Sequence, residues 1–102
     1  MTFGQNLLEM EKRYQNSAWN RLSELVIGAG FGSDLSYYYL GRSAEGLGKN
    51  YAAKIYYQRG LSTNLQCNPP LTFVNGCLGH TFPEELKSKL TYLDFCFVVL
   101  VD

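Results

Sequence analysis

Apolar positions along the chain recur mostly at steps of three and four, and the steps are clearest between Asp34 and Leu61. Tyr37, Leu40, Ala44 and Leu47 fall on one face of a helix. Gly41 sits inside that run, where glycine costs about 1 kcal/mol relative to alanine. The close approach of a neighbouring backbone is the expected reason. Gly48-Lys49-Asn50 then interrupts the pattern, with Gly48 suited to the left-handed residue past a helix end. A second face follows at Ala53, Tyr57 and Gly60-Leu61. The stretch reads as two short helices around a tight turn.

Upstream, Phe3, Leu7, Met10 and Tyr14 place a helix over residues 3–14, with Glu9 and Arg13 as a favourable i,i+4 pair. Gln15-Asn16-Ser17 is read as a break, with Ser17 capping a second helix that carries Ala18, Leu22, Leu25 and Val26. A single helix over 3–27 is the alternative, since Gln and Asn interrupt helices only weakly. Ala18, Leu22 and Leu25 echo Ala53, Tyr57 and Gly60, which suggests an earlier, degenerate hairpin stacked on the clear one. The glycine-dense segment 28–32 is a loop, with Ser33 or Asp34 capping the next helix. It has no Gly-Lys-Ser/Thr sequence and no preceding apolar strand, so it does not read as a phosphate loop.

The character changes after Leu61. Residues 62–79 hold two prolines, two cysteines and an Asn75-Gly76 turn, which excludes a long helix; Leu71–Val74 reads as a short strand. Thr81-Phe82-Pro83-Glu84 is a helix start, with Thr81 as cap and Glu84 completing a capping box. That helix is expected to reach about Thr91, with Leu86 and Leu90 inward and Glu85 and Lys89 paired outward. The run Phe95–Val101 is apolar throughout and rich in strand formers, so it is expected as a strand, paired within the chain or with a second copy.

The order aromatic, Leu-Gly, turn glycine, small, aromatic, small at Tyr37, Leu40-Gly41, Gly48, Ala53, Tyr57 and Gly60 resembles the tetratricopeptide repeat. The likeness spans residues 34–67. It departs where Ala44 replaces an aromatic and where no proline closes the unit. Cys67, Cys77 and the following Gly79-His80-Thr81-Phe82-Pro83 also look like small bacterial exported or lipoprotein-type repeat proteins, in which a helix pair precedes a paired-cysteine loop. That resemblance implies a Cys67–Cys77 disulfide in an oxidising envelope compartment, where the small loop would contribute about 2–3 kcal/mol.

Charge and composition narrow the function classes. Nine basic and nine acidic side chains in 102 residues give no net field and no basic run, which disfavours nucleic-acid partners. No window reaches the roughly 18 apolar residues of a membrane span. The first residues lack the pattern of a secretory signal, so the compartment is open: periplasm or envelope if a signal was removed, cytoplasm otherwise.

Cys67, Cys77, His80 and Cys96 form a three-cysteine, one-histidine set, but their spacing is poor for zinc. Nothing pairs a cysteine with a histidine for nucleophilic catalysis. His80 reads as a surface or capping residue, Arg42 and Glu45 as a solvated pair, and Cys96 as a buried free thiol. No cofactor is implied.

Tyr37, Tyr38 and Tyr39 point about 100° apart around one helix. Tyr37 and Tyr57 take core positions, leaving Tyr38, Tyr51 and Tyr56 as a partner surface. The sequence therefore reads as one mainly α domain over 1–102, built of repeat-like antiparallel helical hairpins with a small β element near the C-terminus. Its expected role is a non-catalytic protein–protein interaction or scaffolding module of bacterial type. The alternatives are a homo-oligomer completed through the C-terminal strand and a Cys/His metal or redox module.

Overall fold

Five helices follow one another in the computed structural model: α1 (Phe3–Gln15), α2 (Trp19–Gly28), α3 (Asp34–Gly46), α4 (Asn50–Ser62) and α5 (Glu84–Val101). It describes the backbone of residues 3–29, 32–67 and 77–101, and the side chains of 8–29, 32–67 and 77–94. No strand occurs among the described residues; there is one isolated parallel bridge, between Ser33 and Leu65. Each helix packs on its neighbours in sequence, and α3 against α4 is the most extensive contact.

The break at residues 16–18 is real. Ser17 has φ of 56°, a left-handed residue past the end of α1, and Gly48 has φ of 80° past the end of α3. The Ser17 and Ala18 amides donate to the carbonyls of Tyr14 and Arg13 at 3.1 and 2.9 Å. Those of Gly48 and Lys49 donate to Glu45 and Ala44 at 3.0 and 2.7 Å. Both turns are thus Schellman closures of the same form. The residues that open α2 and α4 match as well: Ala18 at φ −83°, ψ 71° and Lys49 at φ −99°, ψ 69°, neither with a side-chain cap. Every one of these correspondences is a displacement of thirty-one residues.

That displacement corrects the register expected from the apolar faces. Leu22 corresponds to Ala53 and Val26 to Tyr57, all four fully buried, instead of Ala18 to Ala53 and Leu22 to Tyr57. A slip of four residues keeps a side chain on the same helix face, so face periodicity alone cannot tell the two registers apart. The turn fixes it. Ser17 accordingly closes α1 and does not cap α2.

Three helical glycines seat large side chains from the neighbouring helix. A Cβ at Gly41 would overlap the Tyr57 ring, one at Gly46 the Trp19 indole, and one at Gly60 would lie 3.0 Å from Leu86. The neighbour at Gly41 is therefore a ring and not a backbone. Burying a tyrosine contributes on the order of 3 kcal/mol, which outweighs the roughly 1 kcal/mol of helix propensity that glycine forgoes.

The core consists of Met10, Leu22, Val26, Leu35, Tyr38, Tyr39, Leu40, Ala44, Ala53, Tyr57, Leu86 and Leu93. Tyr38 belongs to it at 3% exposure, contrary to its expected place on a partner surface, while Tyr37 is only partly buried. Leu47, expected inward, is exposed. The reason is the position of α3. Enclosed by α2, α4 and the segment ahead of α5, it buries most of its circumference, so adjacent tyrosines can all be internal.

At its start, α3 is capped by Ser33, whose Oγ accepts from the Ser36 amide at 3.2 Å. At the start of α5 the reciprocal contact is made by Glu85, not Glu84: its carboxylate accepts the Thr81 amide, and the Glu85 amide donates to the Thr81 carbonyl at 2.9 Å. The helix does not stop near Thr91. It continues through the run expected as a strand, to Val101. β-propensity reflects fit to a sheet surface, and extending a nucleated helix costs far less than starting a strand with no partner. The other expected strand, Leu71–Val74, lies outside the described residues.

Replacing Gly41 by alanine is expected to lower the unfolding free energy by about 1–3 kcal/mol through overpacking against Tyr57, although alanine is the better helix former. Urea denaturation of the two proteins measures the difference. A stabilised variant would mean that the ring can move aside.

Candidate functional site

The polar chemistry of the molecule gathers where the segment after α4 crosses the start of α3. Asp34 is the first residue of α3, 7% exposed, where the positive end of the helix favours a carboxylate. Its Oδ1 accepts the Leu35 and Cys67 amides, each at 2.8 Å. The Asp34 amide donates to the Leu65 carbonyl at 2.9 Å, and the Thr63 hydroxyl to the Gly32 carbonyl at 2.6 Å. Residues 63–67 are thereby strapped across the loop that opens α3.

Cys67 and Cys77 are joined in a disulfide, with Cα atoms 5.1 Å apart, and Cys77 is buried. The bridge ties the strap to the segment that leads into α5. Beside it lies a cleft of about 380 Å³, lined by Asp34, Leu61, Cys77, Phe82, Pro83 and Leu86 among others.

His80 is not a surface residue. Its side chain is 10% exposed, with Nε2 2.8 Å from Glu11 Oε1 and Nδ1 3.2 Å from Glu85 Oε1. The ring sits in an aromatic cage: Tyr14 and Tyr38 have centroids 5.2 and 5.1 Å away, Tyr39 meets it edge-on, and Phe82 stacks at an interplanar angle of 15°. Glu11 Oε1 also accepts from the Tyr39 hydroxyl at 2.8 Å, so this group ties α1, α3 and α5 together.

A second node centres on Glu45. Its Oε1 accepts from the Tyr57 hydroxyl at 2.8 Å, and its Oε2 lies 3.1 Å from Arg42 Nη1 and 3.9 Å from Lys89 Nζ. Arg42 and Glu45 are largely buried, not the solvated pair expected. Lys89 turns to Glu45 and not to Glu85. The guanidinium of Arg42 lies 5.7 Å from the Tyr14 ring and 5.6 Å from the Trp19 ring. Burial disfavours its charge, but the hydrogen bond to Tyr14 and the nearby Glu45 outweigh burial and raise its pKa. The Arg42 Nε and the Ser43 Oγ are buried and have no hydrogen-bond partner among the described residues.

Of the proposed partner tyrosines, Tyr51 is 71% exposed, Tyr56 is half-buried and Tyr38 is internal. The structure brings Cys67 and Cys77 together, as the sequence resemblance implied. It places both sulfurs in one bridge, which removes them from a zinc set with His80; the Cys96 side chain lies outside the described residues. Among the described residues no group of three or more His, Cys, Asp or Glu is placed to hold a metal ion. No helix there is long and apolar enough to cross a membrane. The sequence reading missed Glu11, Asp34 and Glu85 as site residues. One signal was available: between Arg59 and Lys87 there is no lysine or arginine to pair with an acid.

Burial, first of all, pushes the Tyr38, Tyr39 and Tyr57 hydroxyls well above the ordinary tyrosine pKa; Tyr14 adds to this at Tyr38, Glu11 at Tyr39 and Glu45 at Tyr57. In the unfolded chain these groups ionise near about pH 10. Above that pH the native state holds the protons that the unfolded state releases, so stability is complete below pH ~10 and falls as pH rises beyond it. An alkaline titration followed at 295 nm is expected to show two stages. Exposed tyrosines ionise first, and the three buried ones appear only with the loss of helical circular dichroism. A single smooth stage with helicity intact would contradict this.

Comparison with protein-family models, with curated proteins and with solved structures finds no match to this chain.

Proposed function

We propose that the chain is a non-catalytic helical interaction module, whose hairpins α1–α2 and α3–α4 are antiparallel successive units of a tetratricopeptide-like array. One observation carries this reading: two turns with the same hydrogen bonds and the same left-handed residue, thirty-one residues apart. A left-handed helix end is common by itself, so the support lies in the matching hydrogen bonds taken together with the matching buried pairs Leu22–Ala53 and Val26–Tyr57, at a spacing shorter than the roughly 34 residues of the tetratricopeptide repeat. Stacked units of this kind bury each other's faces and present a continuous surface.

The correspondence also indicates which surface is open. Tyr39 is fully buried, covered by Glu11 and Tyr14 of α1. Its counterpart thirty-one residues earlier is Leu8, which is 77% exposed. The face around Leu8 is thus shaped for a helix laid across it, as α1 is laid across Tyr39. Leu8 on α1 and Tyr51 on α4 are each exposed large side chains, the kind that anchor protein partners. The Glu11, His80 and Glu85 group and the Arg42, Glu45, Tyr57 and Lys89 group are each engaged internally, which favours a framework over a reaction centre. A homo-oligomer remains compatible with this reading through the Leu8 face. The C-terminal strand does not serve for that, since its residues are helical.

Duplicating residues 18–48 in place adds one full period. The lengthened protein is expected to fold with a cooperative thermal transition and with the helical signal of two further helices. Duplicating thirty-five residues, the period suggested by the apolar faces, is expected to abolish the cooperative transition. Equal behaviour of the two insertions would remove the repeat reading.

For the interaction itself, a photo-crosslinking amino acid at position 8 or 51 is expected to trap a protein adduct in cells. The same group at the exposed Ser88 on α5 is expected to trap none. The trapped partner should bind Leu8→Ala or Tyr51→Ala at least about tenfold more weakly with the melting temperature unchanged, as for an interface hot spot. Adducts no stronger than at Ser88 would end the proposal.

A further inference from the structure

We infer that the cleft beside Asp34 is a binding site for a primary ammonium group carried on a short aliphatic chain. Its volume of about 380 Å³ lies in the range of small-ligand pockets, roughly 300–1,000 Å³. Asp34 lines it and is 93% buried, by its 7% exposure. Oδ1 is held by two backbone amides, whereas no described residue donates to Oδ2. One carboxylate oxygen is therefore fixed in position and the other is left for a ligand.

The charge around the cleft is one-sided. From Gly60 to Leu86 the sequence contains no lysine or arginine. The one basic side chain on the cleft wall, His80, turns both ring nitrogens to Glu11 and Glu85, so it does not serve Asp34. Of the other cations nearby, Arg42 and Lys89 are committed to Glu45 and Lys54 to Asp94, whereas Lys87, next to the lining residue Leu86, is exposed and does not itself line the cleft. Arg59, exposed at the end of α4, does not line the cleft. An anion placed here would meet the Asp34 charge directly, offset only in part by the N-terminal end of α3.

The geometry selects among cations. A guanidinium prefers both oxygens of a carboxylate in a fork, and Oδ1 is already occupied. Calcium takes six to eight oxygens, and the cleft offers one free carboxylate oxygen. An ammonium is a compact point charge that needs no fork. Leu61, Phe82, Pro83 and Leu86 give the cleft an apolar part that suits the methylene chain, while Thr63, Gln66, His80 and Thr81 are polar residues of the same lining. Such a group occurs on free aliphatic amines and on lysine side chains of proteins.

The test uses amide NMR of the oxidised full chain with n-pentylammonium, and with N-acetyl-lysine methylamide as the second arm. Pentanol and pentanoate serve as uncharged and anionic controls. Pentylammonium is expected to shift the Asp34, Leu35 and Cys67 amides saturably, and the controls to leave them unmoved. Asp34→Asn keeps an oxygen for the two amides and removes the charge; affinity should fall about tenfold or more, the scale of one charge-assisted hydrogen bond. Gln66→Lys, at the exposed rim, leaves Asp34 intact and should compete from within the chain, again about tenfold or more. It decides the matter if Asp34→Asn fails to fold.

Response to pentylammonium alone assigns a free amine as the ligand. Response to the blocked lysine as well assigns a lysine of a protein partner. Equal shifts with pentanol, or unchanged affinity in the folded variants, would overturn the inference. It stands apart from the repeat reading, because the ammonium titration is made on the chain without insertions.

Discussion

The Tyr57 ring lying on the bare backbone of Gly41 is the contact on which the rest of the fold depends. It brings α4 close enough to α3 for the ring to be wholly buried and for its hydroxyl to reach Glu45. Trp19 on Gly46 and Leu86 on Gly60 repeat the device at the junctions of α2 with α3 and of α4 with α5. In each case a glycine that weakens its own helix lets the neighbouring helix fill the gap with a large side chain. The exchange is favourable because buried aromatic and aliphatic area outweighs helix propensity by a factor of two or more.

Close packing around α3 then dictates the polar interior. A helix enclosed on most sides must bury whatever its sequence carries, and α3 carries Asp34, Tyr38, Tyr39, Arg42 and Glu45. Each buried polar group without a partner would cost about 1–3 kcal/mol. The partners come from every surrounding element: Glu11 from α1, Tyr57 from α4, Lys89 from α5, and the Cys67 amide from the strap. His80 completes this set by facing two carboxylates at once. The enclosed helix thus selects one arrangement of its neighbours, because other arrangements would leave charges buried and unpaired.

Much of the helical framework was legible in the sequence. The breaks at Ser17 and Gly48, the buried Tyr57, the close approach at Gly41 and the start of a helix after Pro83 all follow from local rules of spacing, capping and propensity. What was not legible depends on contacts between residues far apart in the chain. Tyr38 looked outward because three tyrosines in a row cannot share one face, and only the enclosure of α3 makes both Tyr38 and Tyr39 internal. His80 looked like a surface residue because Glu11, its nearest partner, lies 69 positions away. The Phe95–Val101 run looked like a strand because composition does not report that a helix has already been nucleated upstream of it.

The longest connection between helices is also where the polar cleft lies. α2 leads after a short loop onto α3, whereas residues 63–83 stand between α4 and α5. The turns of three residues after α1 and α3 close the preceding helix end with their own amides. The described part of the longer connection is held instead through the Asp34 carboxylate, the Thr63 hydroxyl and a disulfide. The cleft beside these points is lined by Asp34 and His80, by the polar side chains of Thr63, Gln66 and Thr81, and by apolar groups. A connection fixed at separate points, and not along a packed helical face, thus borders the cleft with groups of mixed chemistry.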